Sequence, residues 1–220
     1  IASYRDSELE ETVKSFYYMA EKPNNLIFSI VSQDFSHPPL SFIPSHQLRY
    51  VRVKPDETYG VTWARAIAEV QYPIYDYQIT IDAHMDASKN WDTTILKSYQ
   101  EATRMFGHKV VLTTYPAMYR LKDGKRMPGP VKSNGYSNFK GCVIDGPDAW
   151  PKEELLKEDL LKGNYLRHAA LFGSQEFYQE VPEDPSMSFY DEELSRSIRA
   201  QDRGYTIVFF KNPCLLYTSD

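Results

Sequence analysis

Tyr77-Gln78-Ile79-Thr80-Ile81-Asp82-Ala83-His84-Met85 is the stretch whose reading decides the fold of this chain. Its β-branched residues read as a buried strand, and the strand runs straight into Asp82 and His84. A carboxylate and an imidazole two residues apart can close on one cation as the chain leaves the strand. In open α/β sheets ligands bind beyond the carboxyl ends of the strands, where this pair falls. A hard cation such as Mn²⁺ or Mg²⁺ takes oxygen ligands, and Mn²⁺ accepts imidazole more readily. The competing reading is structural, with Asp82 capping the next turn and His84 packing locally.

Upstream, Ile1 to Asp6 reads as the end of a strand entering a loop. Ser7-Glu8-Leu9-Glu10 has the spacing of a capping box, opening a helix whose apolar face is Leu9, Val13, Phe16, Tyr17 and Ala20 and which Lys22-Pro23 ends. Strands are expected over Leu26 to Val31 and Arg49 to Val53, with a proline-bearing loop from Phe35 to Pro44 between them. Gly60 precedes a helical stretch, Val61 to Val70.

Downstream, Asp92 to Phe106 predicts a helix with Ile95, Leu96, Tyr99 and Ala102 on one side, and Val110 to Thr114 predicts a buried strand. Six of the ten glycines then fall between Gly107 and Gly146, and periodicity is lost, which reads as an excursion over the site or a two-stranded flap. Regular structure is expected again over Leu166 to Phe172. A short helix near Gln175 to Gln179, a helix from Asp191 to Asp202 and a strand from Tyr205 to Phe210 follow, with Gly204 placed just after the second helix's cap. Strands alternating with helices indicate an α/β fold with a mainly parallel twisted sheet flanked by helices.

At 220 residues the chain is expected to form one full-sized domain, residues 1–220. The net charge of −5 argues against a broad nucleic-acid footprint, which needs clustered Lys and Arg. No apolar run approaches the roughly eighteen residues of a membrane span. No signal peptide is visible, and the chain begins at Ile1 without an initiator Met. Two cysteines, Cys142 and Cys214, are too few for a disulfide framework, and no Asn-x-Ser/Thr sequon occurs. A cytoplasmic protein is the expectation. Neither G-x-G-x-x-G after a strand nor G-x-x-x-x-G-K-[ST] is present, so a bound nucleotide would be held by a metal and side chains rather than by backbone amides alone.

Two further constellations carry charge toward a site. In Gly60-Val61-Thr62-Trp63-Ala64-Arg65 a helix starts after glycine, and Arg65 can fork onto a phosphate or carboxylate. The alternative is a surface helix with Trp63 packed and Arg65 solvated. Asp191, Glu192 and Glu193 open a helix, where the dipole alone favours acids. Their functional reading needs one carboxylate in the cleft. Adjacent helical residues point about a hundred degrees apart. With Leu194 and Ile198 taken as the buried face, Glu192 is the acid expected in the cleft, while Glu193 caps or stays solvated.

The order of these motifs resembles the GlcNAc-transferase family typified by the Skp1 hydroxyproline GlcNAc-transferase. The motifs are Ser3-Tyr4-Arg5-Asp6, Gly60 to Arg65, Ile81 to Met85 with Trp91, Leu112-Thr113-Thr114-Tyr115-Pro116, and Asp191-Glu192-Glu193 before Gly204-Tyr205. The resemblance implies a GT-A fold and retaining, metal-dependent transfer from a UDP-sugar, GlcNAc by family, to a hydroxyl acceptor on a protein. It implies that Asp82 and His84 ligate the metal and its diphosphate, and that Ser3, Tyr4, Arg5 and Asp6 line the nucleotide pocket. Trp63 and Arg65 would stand by the nucleotide or sugar, and Glu192 and Glu193, with Asp191, by the donor sugar and acceptor. The family carries Pro-Cys where this chain has Val61-Thr62. It also has a metal-binding His after the last strand, where this chain ends Asn212-Pro213-Cys214-Leu215-Leu216-Tyr217-Thr218-Ser219-Asp220. That tail looks like a translated sequencing adapter of metagenomic origin, which leads to the expectation of a truncated C-terminus, with Asp220 or water in place of the third ligand. Transfer to a hydroxylated nucleic-acid base and a non-catalytic nucleotide- or glycan-binding module are the competing functions.

Overall fold

Runs of Val, Ile, Leu and Phe build strands whose two faces are both covered, and narrow apolar helix faces cover them. In this computed structural model, residues 1–122, 125–128, 138–140, 143–145, 159–189, 191–210 and 215–218 are described. The first part of the chain runs β1 (Ala2–Tyr4), α1 (Leu9–Tyr18), β2 (Phe28–Gln33), β3 (Leu48–Val53), α2 (Val61–Val70), β4 (Tyr77–Ile81), β5 (Met85–Ala87), α3 (Trp91–Phe106) and β6 (Val110–Thr113). The short strands β7 (Ala117–Lys122), β8 (Lys125–Pro128), β9 (Asn138–Lys140) and β10 (Val143–Asp145) follow. The chain then continues through β11 (Leu160–Gly163), β12 (Ala170–Ser174), α4 (Gln175–Glu180), α5 (Asp191–Asp202), β13 (Thr206–Phe210) and β14 (Leu215–Thr218).

Strands β1, β2 and β3 pair in parallel, Val31 standing opposite both Ala2 and Val51. A second sheet has the order β11-β13-β6-β12-β4. In it β13 is parallel to β6, while β12 lies antiparallel between β6 and β4. Thus β4, β6 and β13 share one direction, and β12 and β11 run against them. The result is an α/β architecture with its parallel strands flanked by helices.

Alternate residues of the central strands serve opposite cores, as the period of two requires. Val110, Leu112, Val208 and Phe210 join Leu9, Val13 and Phe16 of α1 and Ile95, Tyr99 and Ala102 of α3. Val111, Ile207 and Phe209 face the other way, onto Phe177, Tyr178 and Ala200. Helix α2 lies over β1 and β2, with Ala64 and Ala68 against Val31.

The structure departs from the sequence expectations at several described places; residues 166–169 are irregular, with β12 starting only at Ala170, and β4 is an edge strand of which only Thr80 and Ile81 are buried. The capping box does not form: the Glu8 N–H goes to Asp6 Oδ1 at 2.8 Å, so the carboxylate two residues back does the work expected of Ser7. Strand β2 begins two residues later than expected because Pro23–Asn25 form a 3-10 turn first. On α5 the buried face is Glu192, Arg196, Ser197 and Ala200, while Ile198 is 50% exposed, which reverses the face read from Leu194 and Ile198. Of the glycine-rich excursion, β7 and β8 form an antiparallel pair, as do β9 and β10. Cys142 and Cys214, the residues between these strands, and Asn212, Pro213, Ser219 and Asp220 lie outside the described residues. From the tail, Leu215–Thr218 forms β14, which pairs with β5 and β7. No helix among the described residues is long and apolar enough to cross a membrane.

A methyl group added at Gly163 in β11 would stand 2.3 Å from Cε2 and 2.6 Å from Cδ2 of Phe209, a ring 1% exposed. Gly163→Ala is therefore expected to cost about 1–3 kcal/mol, the usual range for overpacking a filled core. Urea denaturation checks it. Gly173→Ala, where the nearest atom of Phe177 is 3.0 Å away, should cost less.

Candidate functional site at the end of β4

After Ile81 the chain bends at Ala83 and His84 before β5 begins, and its residues alternate between buried and half-buried. Ala83, Met85 and Ala87 are buried, while Asp82, His84 and Asp86 are half-buried. The Met85 N–H donates to Thr12 Oγ1 at 2.9 Å, which fixes this segment on α1. Asp82 and His84 keep side-chain exposures of 21% and 25%. Both are open enough for a ligand and anchored enough to keep their geometry.

Arg65 reaches Asp82 from α2, Nη2 to Oδ1 at 2.9 Å. Its Nη1 donates to Glu192 Oε1 from α5. Three residues singled out in the sequence, Arg65, Asp82 and Glu192, thus form one chain of charge. Neither Arg65 nor Glu192 is solvated, since they are 6% and 2% exposed. The surface-helix reading of Arg65 fails for this reason, and Glu192 faces inward to Arg65 rather than into an open cleft.

The charge continues inward through residues the sequence reading missed. His168 stands with Nδ1 3.4 Å from Glu192 Oε1 and Nε2 3.2 Å from Glu183 Oε2. Arg196, fully buried, donates from Nη1 to Glu69 Oε1 at 2.7 Å and to Glu183 Oε2 at 2.8 Å. Glu69 Oε2 in turn accepts the Glu183 N–H at 3.0 Å. The Arg196 guanidinium also lies over the rings of Phe177 and Tyr178, at 5.4 and 5.1 Å. A signal was present in the four-residue spacing: Arg65 and Glu69 share one face of α2, and Glu192, Arg196 and Ala200 share one face of α5.

Burial, with Arg65 and Arg196 close by, holds the His168 imidazole well below its ordinary pKa, so it is neutral. Burial pushes Glu192 up to about 7, Arg65 opposing the shift and Glu183 and Glu193 adding to it. Glu183 is also raised, chiefly by burial. His168, Glu183 and Glu192 offer ligand atoms within 4.8 Å of one another, a spacing a metal ion can use. The oxygens facing His168 are, however, those already taken by Arg65 and Arg196, and a dication there would sit against two fixed guanidiniums. We read this group as an internal ion network. Asp82 and His84 belong to no such three-membered group among the described residues.

The remaining candidates divide. Glu193 accepts from Arg167 Nη1 and from the His168 N–H, both at 2.9 Å, so it braces the segment before β12 and is not solvated. Asp191 is exposed and accepts from Ser188 Oγ, as a helix-start residue does. Trp63 packs on the cluster around Val31 and Ala64 and meets Tyr59 edge-on at 5.5 Å. Ser3 is buried and its carbonyl accepts from Gln33 Nε2 at 3.2 Å, whereas Arg5 is exposed in a left-handed turn with φ 49°. Tyr4 is 55% exposed and lines a cavity of about 350 Å³ with Ala2, Gln33, Thr58, Gly60 and Val61, where β1 and β2 end and α2 begins. Gln33 and Thr58 were not anticipated; they are hydrogen-bonded to each other across this cavity. A larger cavity, about 500 Å³, lies between β2 and β4, and neither Asp82 nor His84 lines it.

A family model described as Glycosyltransferase (GlcNAc) matches residues 39–217. Among solved structures the chain is similar to the crystal structure of GalNAc-T7 with UDP, GalNAc and Mn²⁺, with a TM-score of 0.73 and 15% identity. That match covers 99% of this chain and 43% of the other, so the chain spans less than half the length of that protein. At this identity the likeness establishes the GT-A fold. No curated protein sequence matches the chain.

Glu192 gives the site a pH signature. Its folded pKa, about 7, lies above the usual carboxyl value, so the folded state binds this proton more tightly than the unfolded chain. The contribution is fully present below the unfolded pKa and is lost as pH rises through about 7. Glu192→Gln, which mimics the protonated acid, should lose less stability than the parent protein between pH 5 and pH 8, the window that brackets this pKa (about 7). Thermal melts across that window test it; parallel curves would refute the assignment.

Proposed function

The chain belongs to the GlcNAc glycosyltransferase family, and we propose that it moves a sugar, GlcNAc by family, from a UDP-sugar to an acceptor hydroxyl with the help of Mn²⁺ or Mg²⁺. The observation that carries this reading is that Asp82 and His84 both stay partly exposed where the chain leaves β4, in a fold shared with a structure that holds UDP and Mn²⁺. One carboxylate and one imidazole suit Mn²⁺. When bound, the cation offsets the charge that develops on the departing diphosphate. Asp82 supplies the charge that draws the cation, and Arg65 holds its Oδ1. The cavity beside Tyr4, Gln33 and Thr58 takes the nucleoside. Glu192 acts through Arg65 as a positioning group. In retaining transfer the leaving phosphate can itself accept the acceptor's proton, so no strong base is required opposite it.

The described elements are read as one GT-A domain. A protein hydroxyl is the proposed acceptor; the charge of −5 speaks against a nucleic-acid base. The low cysteine count and the lack of sequons support a cytoplasmic setting. A non-catalytic nucleotide-binding module is the second reading, favoured by the absence of a third metal ligand beside Asp82 and His84 among the described residues.

UDP release measured across several UDP-sugars with Mn²⁺ separates transfer or hydrolysis from mere binding. With two protein ligands the metal site is complete only when diphosphate oxygens join it. Mn²⁺ and UDP together should therefore raise stability more than the sum of their separate effects. A hundredfold excess over Kd gives about 2.7 kcal/mol. Additive thermal shifts would count against a shared site. Asp82→Asn should lower transfer on the order of a hundredfold, and more than His84→Gln, whose amide oxygen partly replaces the imidazole.

A further inference from the structure

We infer that Asp6 is a positioning residue that sets the tautomer and ring orientation of His84 and ties that ring to the loop bordering the nucleoside cavity. The inference rests on the reading above that His84 holds the cation. Asp6 Oδ2 lies 2.7 Å from His84 Nδ1, and Oδ1 accepts the Glu8 N–H at 2.8 Å. Both carboxylate oxygens are therefore engaged, and Asp6 is not among the residues lining the cavity beside Tyr4. The family resemblance gave Asp6 to the nucleotide; the geometry gives it to His84.

The backbone is shaped for this contact. Arg5 takes a left-handed conformation, φ 49°, and its N–H is held by the Gln33 carbonyl at 3.2 Å. After that turn the Asp6 side chain meets His84, in the segment after β4. An ionised carboxylate can only accept, so the ring nitrogen that faces Asp6 is the protonated one, and in the neutral ring Nε2 presents the lone pair. Metal-binding histidines usually donate their second N–H to a carboxylate or carbonyl, which fixes the ring. The pair is half-buried, with side-chain exposures of 25% for His84 and 19% for Asp6. Partial burial screens the bond less than full exposure would.

The imidazole that would hold the cation is thereby tied to the chain that runs from Tyr4 and Gln33, which line the cavity, through Arg5 to Asp6.

The ¹⁵N chemical shifts of the His84 ring in the metal-free protein, followed upward in pH until the ring is neutral, are the first test. The Nδ1–H tautomer is expected, and the Nε2–H tautomer would overturn the inference. The second test measures Mn²⁺ binding at saturating UDP, from the EPR signal of free Mn²⁺, for Asp6→Ala, His84→Ala and the double variant. Asp6→Ala should weaken Mn²⁺ binding about 10–100-fold, and should add nothing once His84 is replaced. An equal loss in both backgrounds, or no loss in Asp6→Ala, would overturn it. Melting curves identify any Asp6→Ala protein that fails to fold for want of its helix-start bond; the ring shifts of the parent protein then decide alone. If the parent protein with UDP takes up no Mn²⁺, the metal reading fails, while the tautomer still tests the role of Asp6.

Discussion

Arg65 is the constraint on which the rest of the site depends. It is a cation on α2, almost fully covered, with one carboxylate at the end of β4 and another at the start of α5. Three elements far apart in sequence therefore meet at a single guanidinium. Its planar fork suits this role, since two nitrogens can serve two carboxylates at once and the group is less strongly hydrated than an ammonium. A lysine would offer a point charge and lose the fixed angle between Asp82 and Glu192.

Burying so much charge is not in itself a gain. Desolvation of each ion costs several kcal/mol, and a buried pair often does no better than well-packed apolar residues of the same volume. What the network supplies is uniqueness of arrangement. Glu69 and Glu183 share Arg196; Glu183 and Glu192 share His168; Glu192 and Asp82 share Arg65. Removal of one member leaves its neighbour charged and uncompensated, which typically costs about 3–5 kcal/mol. Such a chain tolerates one packing of α2 against α5. Thr62 Oγ1, donating to the Met187 carbonyl at 2.6 Å, pins the same two regions from the side.

Much of the fold was legible because its signals are local. Helix α2 spans the residues read from Gly60 and the small apolar face, and Gly204 takes the positive φ expected after α5. The interior of the site was less legible. Polar residues on a helix are ordinarily its solvent face, so α5 was oriented by Leu194 and Ile198. Charge compensation from α2 and from the segment before β12 overrides that rule, and no single-segment pattern reports it. His168 and Glu183 carried no motif; only the three-dimensional meeting with Arg65 and Arg196 makes them notable. The Asp82–His84 pair was visible because both residues leave one strand, which makes their relation a matter of spacing alone.

The same geometry narrows how a diphosphate can be met here. Neither of the glycine-rich phosphate motifs occurs in the sequence, which left Arg65 as a candidate phosphate fork. Its two terminal nitrogens are instead committed to Asp82 and Glu192. Redirecting Nη1 to a phosphate would strand the buried Glu192 carboxylate, a loss comparable to the gain. Under the proposed function Arg65 acts on the ligand indirectly, by fixing Asp82. Within the proposed function this places the neutralisation of the diphosphate on the cation at Asp82 and His84. On that reading nucleotide and metal arrive together, because the diphosphate is not neutralised without the ion, and the ion has, among the described residues, only Asp82 and His84 to hold it until diphosphate oxygens join them.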